Sequence, residues 1–136
     1  MYEILEHSAD EKFHAEGESK EEALKEVVKA FADIVGGDTE GMYHHKIEVE
    51  SENLEALLYD FLDELIFLQD TEMVVVSQAE DLELEQLKDG WRLGAKILVD
   101  NITADMSPLD IKAPTYNEMK IDYQDGKWSF EAVLDV

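Results

Sequence analysis

A chain of 136 residues with 45% apolar residues can bury one hydrophobic core and is short for two, so residues 1–136 are expected to form a single domain. Asp and Glu number 34 against 11 Lys and Arg, a net charge of −23, and Arg92 is the only arginine; such a surface repels phosphate backbones, so direct nucleic-acid binding is not expected. No cysteine is present, which excludes disulfide frameworks, thiolate metal sites and cysteine nucleophiles.

Residues 2–5 read as a short strand, and residues 12–16 as another with Phe13 and Ala15 on its apolar face. Ser19 and Glu22 have the spacing of a capping box. Leu24, Val27, Val28, Phe31, Ile34 and Val35 follow at helical spacing, and Gly36-Gly37 is a natural stop. Residues 46–50 alternate around Ile47 and Val49, a strand. Ser51 is the expected cap of a second helix, whose stripe runs through Leu54, Leu57, Leu58, Phe61, Leu62, Leu65 and Ile66. Asp60, Asp63 and Glu64 lie off that stripe and read as a solvated face.

After residues 69–71 the chain turns to strands. Residues 73–76 form a β-branched run, and Leu82 and Leu84 alternate with Glu83 and Glu85. A turn at residues 87–90 leads into the alternation of Trp91, Leu93, Ala95, Ile97 and Val99. Pro108 and Pro114 fall in one irregular stretch. Met119, Ile121 and Tyr123, the turn Asp125-Gly126, and Trp128, Phe130, Ala132 and Leu134 make a hairpin. Helices early and hairpins late predict an α+β fold, with two helices packed on one face of a largely antiparallel (mixed) β-sheet.

The acidity reads in two ways: as solubility or adaptation to a salty cytoplasm, or as docking onto a basic partner or holding a cation. The opening residues lack the basic region and apolar core of a signal peptide, and no apolar run approaches the roughly 18 residues of a membrane span, so a cytoplasmic location is expected. The histidines are His7, His14, His44 and His45; His44-His45 reads as an exposed loop pair. No Gly-rich phosphate loop, nucleophile elbow or aromatic RNA-binding signature is present.

His7-Ser8-Ala9-Asp10 sits between two short strands. It reads either as a turn with Ser8 or Asp10 bonded to local backbone, or as a loop presenting a carboxylate. The last strand runs straight into Asp135-Val136, so a side-chain carboxylate and a chain-end carboxylate fall close together. Such oxygens repel unless a cation or donor lies between them, and a hard cation such as Ca²⁺ or Mg²⁺ suits them; the alternative is a solvated end.

Several stretches resemble one family. Residues 2–10, YEILEHSAD, resemble the archease opening Y-x-x-x-x-H-T-A-D, and residues 17–23 resemble the stretch that opens the archeases' first helix. Residues 54–68 resemble their second-helix signature, residues 111–116, IKAPTY, resemble I-K-A-V-T-Y, and residues 128–136 resemble their ending W-x-x-x-V-x-x-D-I/V. The resemblance covers essentially the whole chain in one order.

It implies a function that periodicity does not give: archeases are accessory proteins of the GTP-dependent RNA ligase that joins tRNA halves and repairs RNA, promoting its guanylylation and turnover without being ligases themselves. It implies a divalent metal held by Asp10, Asp135 and the Val136 carboxylate, Ca²⁺ first, with Mg²⁺ or Mn²⁺ as alternatives. It implies functional roles for His7 and Lys112. The chain departs from the family pattern at Ser8, Glu11-Lys12, Pro114, Asn117 and residues 100–107, where Asp105 is a candidate replacement for a family carboxylate. The competing readings are a general chaperone-like or scaffolding module, motivated by those departures, and a metal-dependent hydrolase using His7 as base beside Asp10.

Overall fold

The computed structural model describes residues 1–5, 10–36 and 39–136. In chain order they form β1 (Tyr2–Leu5), β2 (Glu11–Gly17), α1 (Lys20–Val35), β3 (Tyr43–Ser51), α2 (Leu54–Glu72), β4 (Val74–Leu87), β5 (Gly90–Asn101), β6 (Ala113–Gln124) and β7 (Lys127–Asp135).

The helix ends follow from local chemistry. Ser19 Oγ accepts the Glu22 N–H at 3.1 Å, while the Glu22 carboxylate accepts the Glu18 N–H at 2.9 Å, so the capping box closes one residue upstream of the cap. Gly36 ends α1 at φ 90°, donating to the carbonyls of Ala32 and Asp33. The cap of α2 is Asn53, not Ser51: Asn53 Oδ1 accepts the Ala56 N–H at 2.7 Å. Ser51 stays in β3 and donates to Asp60 at 2.6 Å. Helix α2 continues past the turn expected at residues 69–71 and stops at Met73, φ 55°. Gln69 Oε1 accepts the Val76 N–H at 2.9 Å, tying its last turn to the start of β4.

The strands divide between two antiparallel sheets, ordered β1-β2-β7-β6 and β3-β5-β4. The α+β class and antiparallel pairing are as expected; the single sheet is replaced by two, because period-two alternation marks strands without naming their partners. The run expected at residues 73–76 loses Met73 to the end of α2; residues 74–76 and 82–85 are parts of one strand, β4, whose ladder absorbs the residues between them in register shifts around Ser77 and Asp81. Pro114 lies inside β6, which is an edge strand, where a missing N–H costs no ladder bond on the outer side. The β6–β7 turn is Asp125-Gly126 with φ of 54° and 77°, the positive pair that a two-residue type I′ hairpin requires.

Helix α1 packs against β1, β2, β7 and β4, and α2 against β6, β3, β4 and β5, so each helix touches both sheets. One core results, with Phe13, Phe31, Phe61 and Phe130 fully buried at its centre. Lys20 adds a clip at the first residue of α1. Its ammonium lies 4.3 Å from the Trp128 ring of one sheet and 5.2 Å from the Trp91 ring of the other.

Candidate functional site

The ladder between β2 and β7 ends with the pair Glu11–Leu134, so the next residues outward are Asp10 on one strand and Asp135 on the other. On the far side of β7, Ala113 pairs with Asp135, and the Lys112 N–H donates to the Asp135 carbonyl at 2.8 Å. Three adjacent strands thus bring Asp10, Asp135, Val136 and Lys112 to one end of the four-stranded sheet. Asp10 and Val136 are half-buried, and Lys112 and Asp135 are exposed. His7 lies outside the described residues.

A large irregularity in β6 flanks this end. Thr115 pairs with Val133, but the next pair is Lys120–Glu131, so residues 116–119 bulge opposite Ala132. Glu118, at φ 61°, reaches Lys12 of β2 at 3.6 Å across β7. Val133, paired with both Lys12 and Thr115, is fully buried there although it stands outside the main core. The departures Lys12 and Asn117 therefore belong to the bulge region: Lys12 holds Glu118, and the Asn117 N–H donates to Thr115 Oγ1 at 3.1 Å.

Among the described residues, no group of three or more His, Cys, Asp or Glu is arranged to hold a metal. The register brings the carboxylates of Asp10 and Asp135, both hard oxygen donors, to the same end of the sheet. Oxygen donors of this kind suit a hard cation such as Ca²⁺, Mg²⁺ or Mn²⁺ and not a thiophilic metal.

Other expected residues are placed elsewhere. Asp105 lies in a local turn closed by the Met106 N–H to the Thr103 carbonyl, and the hydrogen bond that the Thr103 hydroxyl donates to its carboxylate holds that carboxyl below the usual range. His44 and His45 are not a loop pair: both lie in β3, an edge strand, with His44 exposed and His45 half-buried. Of the acidic residues off the α2 stripe, Asp63 and Glu64 are exposed as expected, while Asp60 is half-buried and bonded by Ser51.

Two constellations were not foreseen. On the four-stranded sheet His14 lies between two carboxylates, with Nδ1 2.7 Å from Glu131 and Nε2 2.8 Å from Glu16. Alternation along β2 puts His14 and Glu16 on one face, but nothing in the sequence pairs them with Glu131, 117 residues away. At the bulge, Tyr116 stacks on Tyr59 of α2. The signal available was Tyr59 itself, an aromatic ring off the apolar stripe. A cleft of about 660 Å³ elsewhere has ion pairs in its wall, Met1 ammonium to Glu26 at 3.1 Å and Lys29 to Glu26 at 3.6 Å. No described helix is long and apolar enough to cross a membrane.

Comparison with known proteins gives a consistent answer. Residues 2–136 match the model of the Archease protein family (MTH1598/TM1083). Protein archease of Pyrococcus abyssi is 34% identical over 140 residues, covering 99% of this chain and 98% of the relative. Protein archease of Methanopyrus kandleri is 30% identical over 139 residues, covering 99% of each. The solution structure of Methanobacterium thermoautotrophicum protein 1598 superposes with a TM-score of 0.84 at 28% identity, over 99% of this chain and 98% of that one. The crystal structure of an archease from Thermotoga maritima, described as a possible chaperone, shares the fold at a TM-score of 0.60 and 18% identity, over 100% of this chain and 98% of its own. A family match that runs from the β1 residue Tyr2 to Val136, together with relatives at least 30% identical over nearly the whole chain, leaves one assignment: the chain belongs to the archease family.

Proposed function

We propose that this chain is an accessory protein, not an enzyme, that activates a GTP-dependent RNA ligase of the tRNA-splicing and RNA-repair type by promoting its guanylylation and turnover. The observation that carries this reading is the family match over residues 2–136 combined with the β2–β7 register, in which Asp10 and Asp135 follow the last ladder pair. A bound divalent cation would supply a positive centre able to accept further oxygen ligands. Asp10 and Asp135, with the Val136 carboxylate, would hold it, and the Lys112 N–H, already bonded to the Asp135 carbonyl, fixes the backbone beside it. The net charge of −23 would speed encounter with a basic enzyme surface and repel free RNA, so the partner is the ligase and not its substrate.

The test is guanylylation of the ligase from the same organism, with GTP and Mn²⁺, with and without this protein and its Asp10→Ala variant. Acceleration by the wild type and loss in Asp10→Ala is the expected result. No change in rate with either protein would remove the activator role. Extending the chain beyond Val136 turns that carboxylate into an amide and should weaken Ca²⁺ binding; unchanged affinity would remove Val136 from the donor set.

A second reading, a chaperone-like module, draws on the departures at Lys12 and Asn117, which this structure uses to build the bulge. It predicts suppression of aggregation of unrelated clients without a metal requirement, and absence of that effect would dismiss it.

A further inference from the structure

Tyr59 and Tyr116 stack with ring centroids 4.5 Å apart and planes 10° apart. Tyr116 is 54% exposed, so this pair opens to solvent and not into the core. Several features hold it in place. Residues 116–119 bulge from the edge strand β6, and Glu118 adopts a positive φ that non-glycine residues take at a cost. Lys12 secures Glu118 from two strands away. Asp60, the neighbour of Tyr59 on α2, is fixed by the Ser51 hydroxyl. The surroundings are negative: burial, then the charges of Asp60, Tyr59 and Glu52, push the Tyr116 hydroxyl above its ordinary pKa. Asp63, one turn along α2 from Tyr59, is exposed.

An exposed aromatic face ringed by carboxylates selects among ligands. A nucleic-acid base could stack on the ring, but its phosphates would meet a chain of net charge −23. A guanidinium satisfies both features, because its plane stacks on an aromatic face and its N–H fork matches carboxylates; a lysine ammonium offers the charge without the plane. We propose that the Tyr59–Tyr116 stack is a docking platform for a basic segment of a partner protein, which lays an arginine on Tyr116 and turns its guanidinium N–H groups to Asp60 and Glu52. The platform flanks the sheet end at Asp10 and Asp135, but it is argued from the stack and its charges alone and stands or falls without reference to ligase activation.

The test is an NMR titration of the full chain with a short Gly-Ser peptide carrying an Arg-Arg pair, its Lys-Lys counterpart, and a U-rich single-stranded RNA. The arginine peptide is expected to shift the ring resonances of Tyr59 and Tyr116 and to bind more tightly than the lysine peptide, and the RNA to leave those rings unmoved. Tyr116→Ala should weaken arginine-peptide binding about two- to fivefold, and Tyr116→Phe, which keeps the ring, should stay within about twofold of wild type. Equal affinity for the two peptides, or unchanged affinity in a folded Tyr116→Ala protein, overturns the proposal. Shifts of the same rings by RNA overturn it in favour of base stacking.

Discussion

Replacing His14 by Gln isolates a pH-dependent contribution to stability. As imidazolium, His14 donates to Glu131 at 2.7 Å and to Glu16 at 2.8 Å; as neutral imidazole it can donate to one carboxylate only and turns a lone pair to the other. Burial alone pushes the His14 pKa down, but the hydrogen bonds to Glu16 and Glu131, and their charges, outweigh it and hold the ring above its ordinary 6.5. The bond to His14 in turn holds the Glu16 carboxyl below its ordinary 4.5. Charged neighbours on the same sheet are Glu3, opposite His14 on β1, Lys120, opposite Glu131 on β6, and Lys127, whose charge also lowers Glu16.

A raised histidine pKa gives stability that is complete below pH 6.5 and lost as pH rises through the folded value. A lowered carboxyl pKa gives stability present above pH 4.5 and lost as pH falls through its folded value. The two together are complete between those limits. The side chains are 19%, 29% and 22% exposed, between the sheltered and surface regimes. A sheltered charge-assisted bond is worth about 1.5–3 kcal/mol and an exposed ion pair about 0.2–1 kcal/mol, so the two contacts together amount to about 2 kcal/mol.

Urea unfolding of wild type and His14→Gln near pH 5.5 and near pH 8.5 measures this difference. The expected cost is about 2 kcal/mol at the lower pH and under about 1 kcal/mol at the higher, with unchanged denaturant slopes. The general self-repulsion of an acidic chain is common to both proteins and cancels in the comparison. Equal costs at both pH values, or an NMR titration placing His14 below 6.5, would refute the reasoning.

Gly17→Ala should destabilise by about 2–3 kcal/mol, because a Cβ there would lie 2.4 Å from the Ala23 nitrogen and 2.7 Å from Glu22 Cβ on α1; Gly94→Ala, with nothing within 4 Å, is the near-neutral control in the same thermal melts. Asp100→Ala should lower stability by about 2 kcal/mol and the melting temperature by about 6–10 °C, since its carboxylate accepts the N–H groups of Gly41 at 2.7 Å and Met42 at 2.9 Å. Burial pushes the Asp100 carboxyl up, but those two bonds outweigh it and hold it below its ordinary value, so this contribution should fade as pH falls through the folded pKa.

The capping box at Ser19 and Glu22, the Gly36 stop and the Asp125-Gly126 hairpin were legible in the sequence because each is a local device whose partners lie within a few residues. The cap of α2 was misplaced because Ser51 and Asn53 both offer a side-chain oxygen, and only the tertiary partner Asp60 decides that Ser51 faces elsewhere. The division into two sheets, the Tyr59–Tyr116 stack and the His14 clamp depend on pairings between distant segments, which periodicity does not encode. Asp10 and Asp135 were named from their motifs, and only the β2–β7 register makes them neighbours.

That same register orders events during synthesis. Strand β2 ends its ladder against Leu134, so the middle of the four-stranded sheet cannot close until β7 has left the ribosome. The three-stranded sheet and both helices emerge earlier, and nothing yet covers the helix faces that later meet β6 and β7. A nascent chain interrupted before β7 would hold β2 and β6 with open ladder edges and leave Phe13 and Phe31 partly uncovered, a state recognisable to proteases and chaperones. Because Asp135 belongs to that final strand, an incompletely made chain would lack this carboxylate as well as the fold around it.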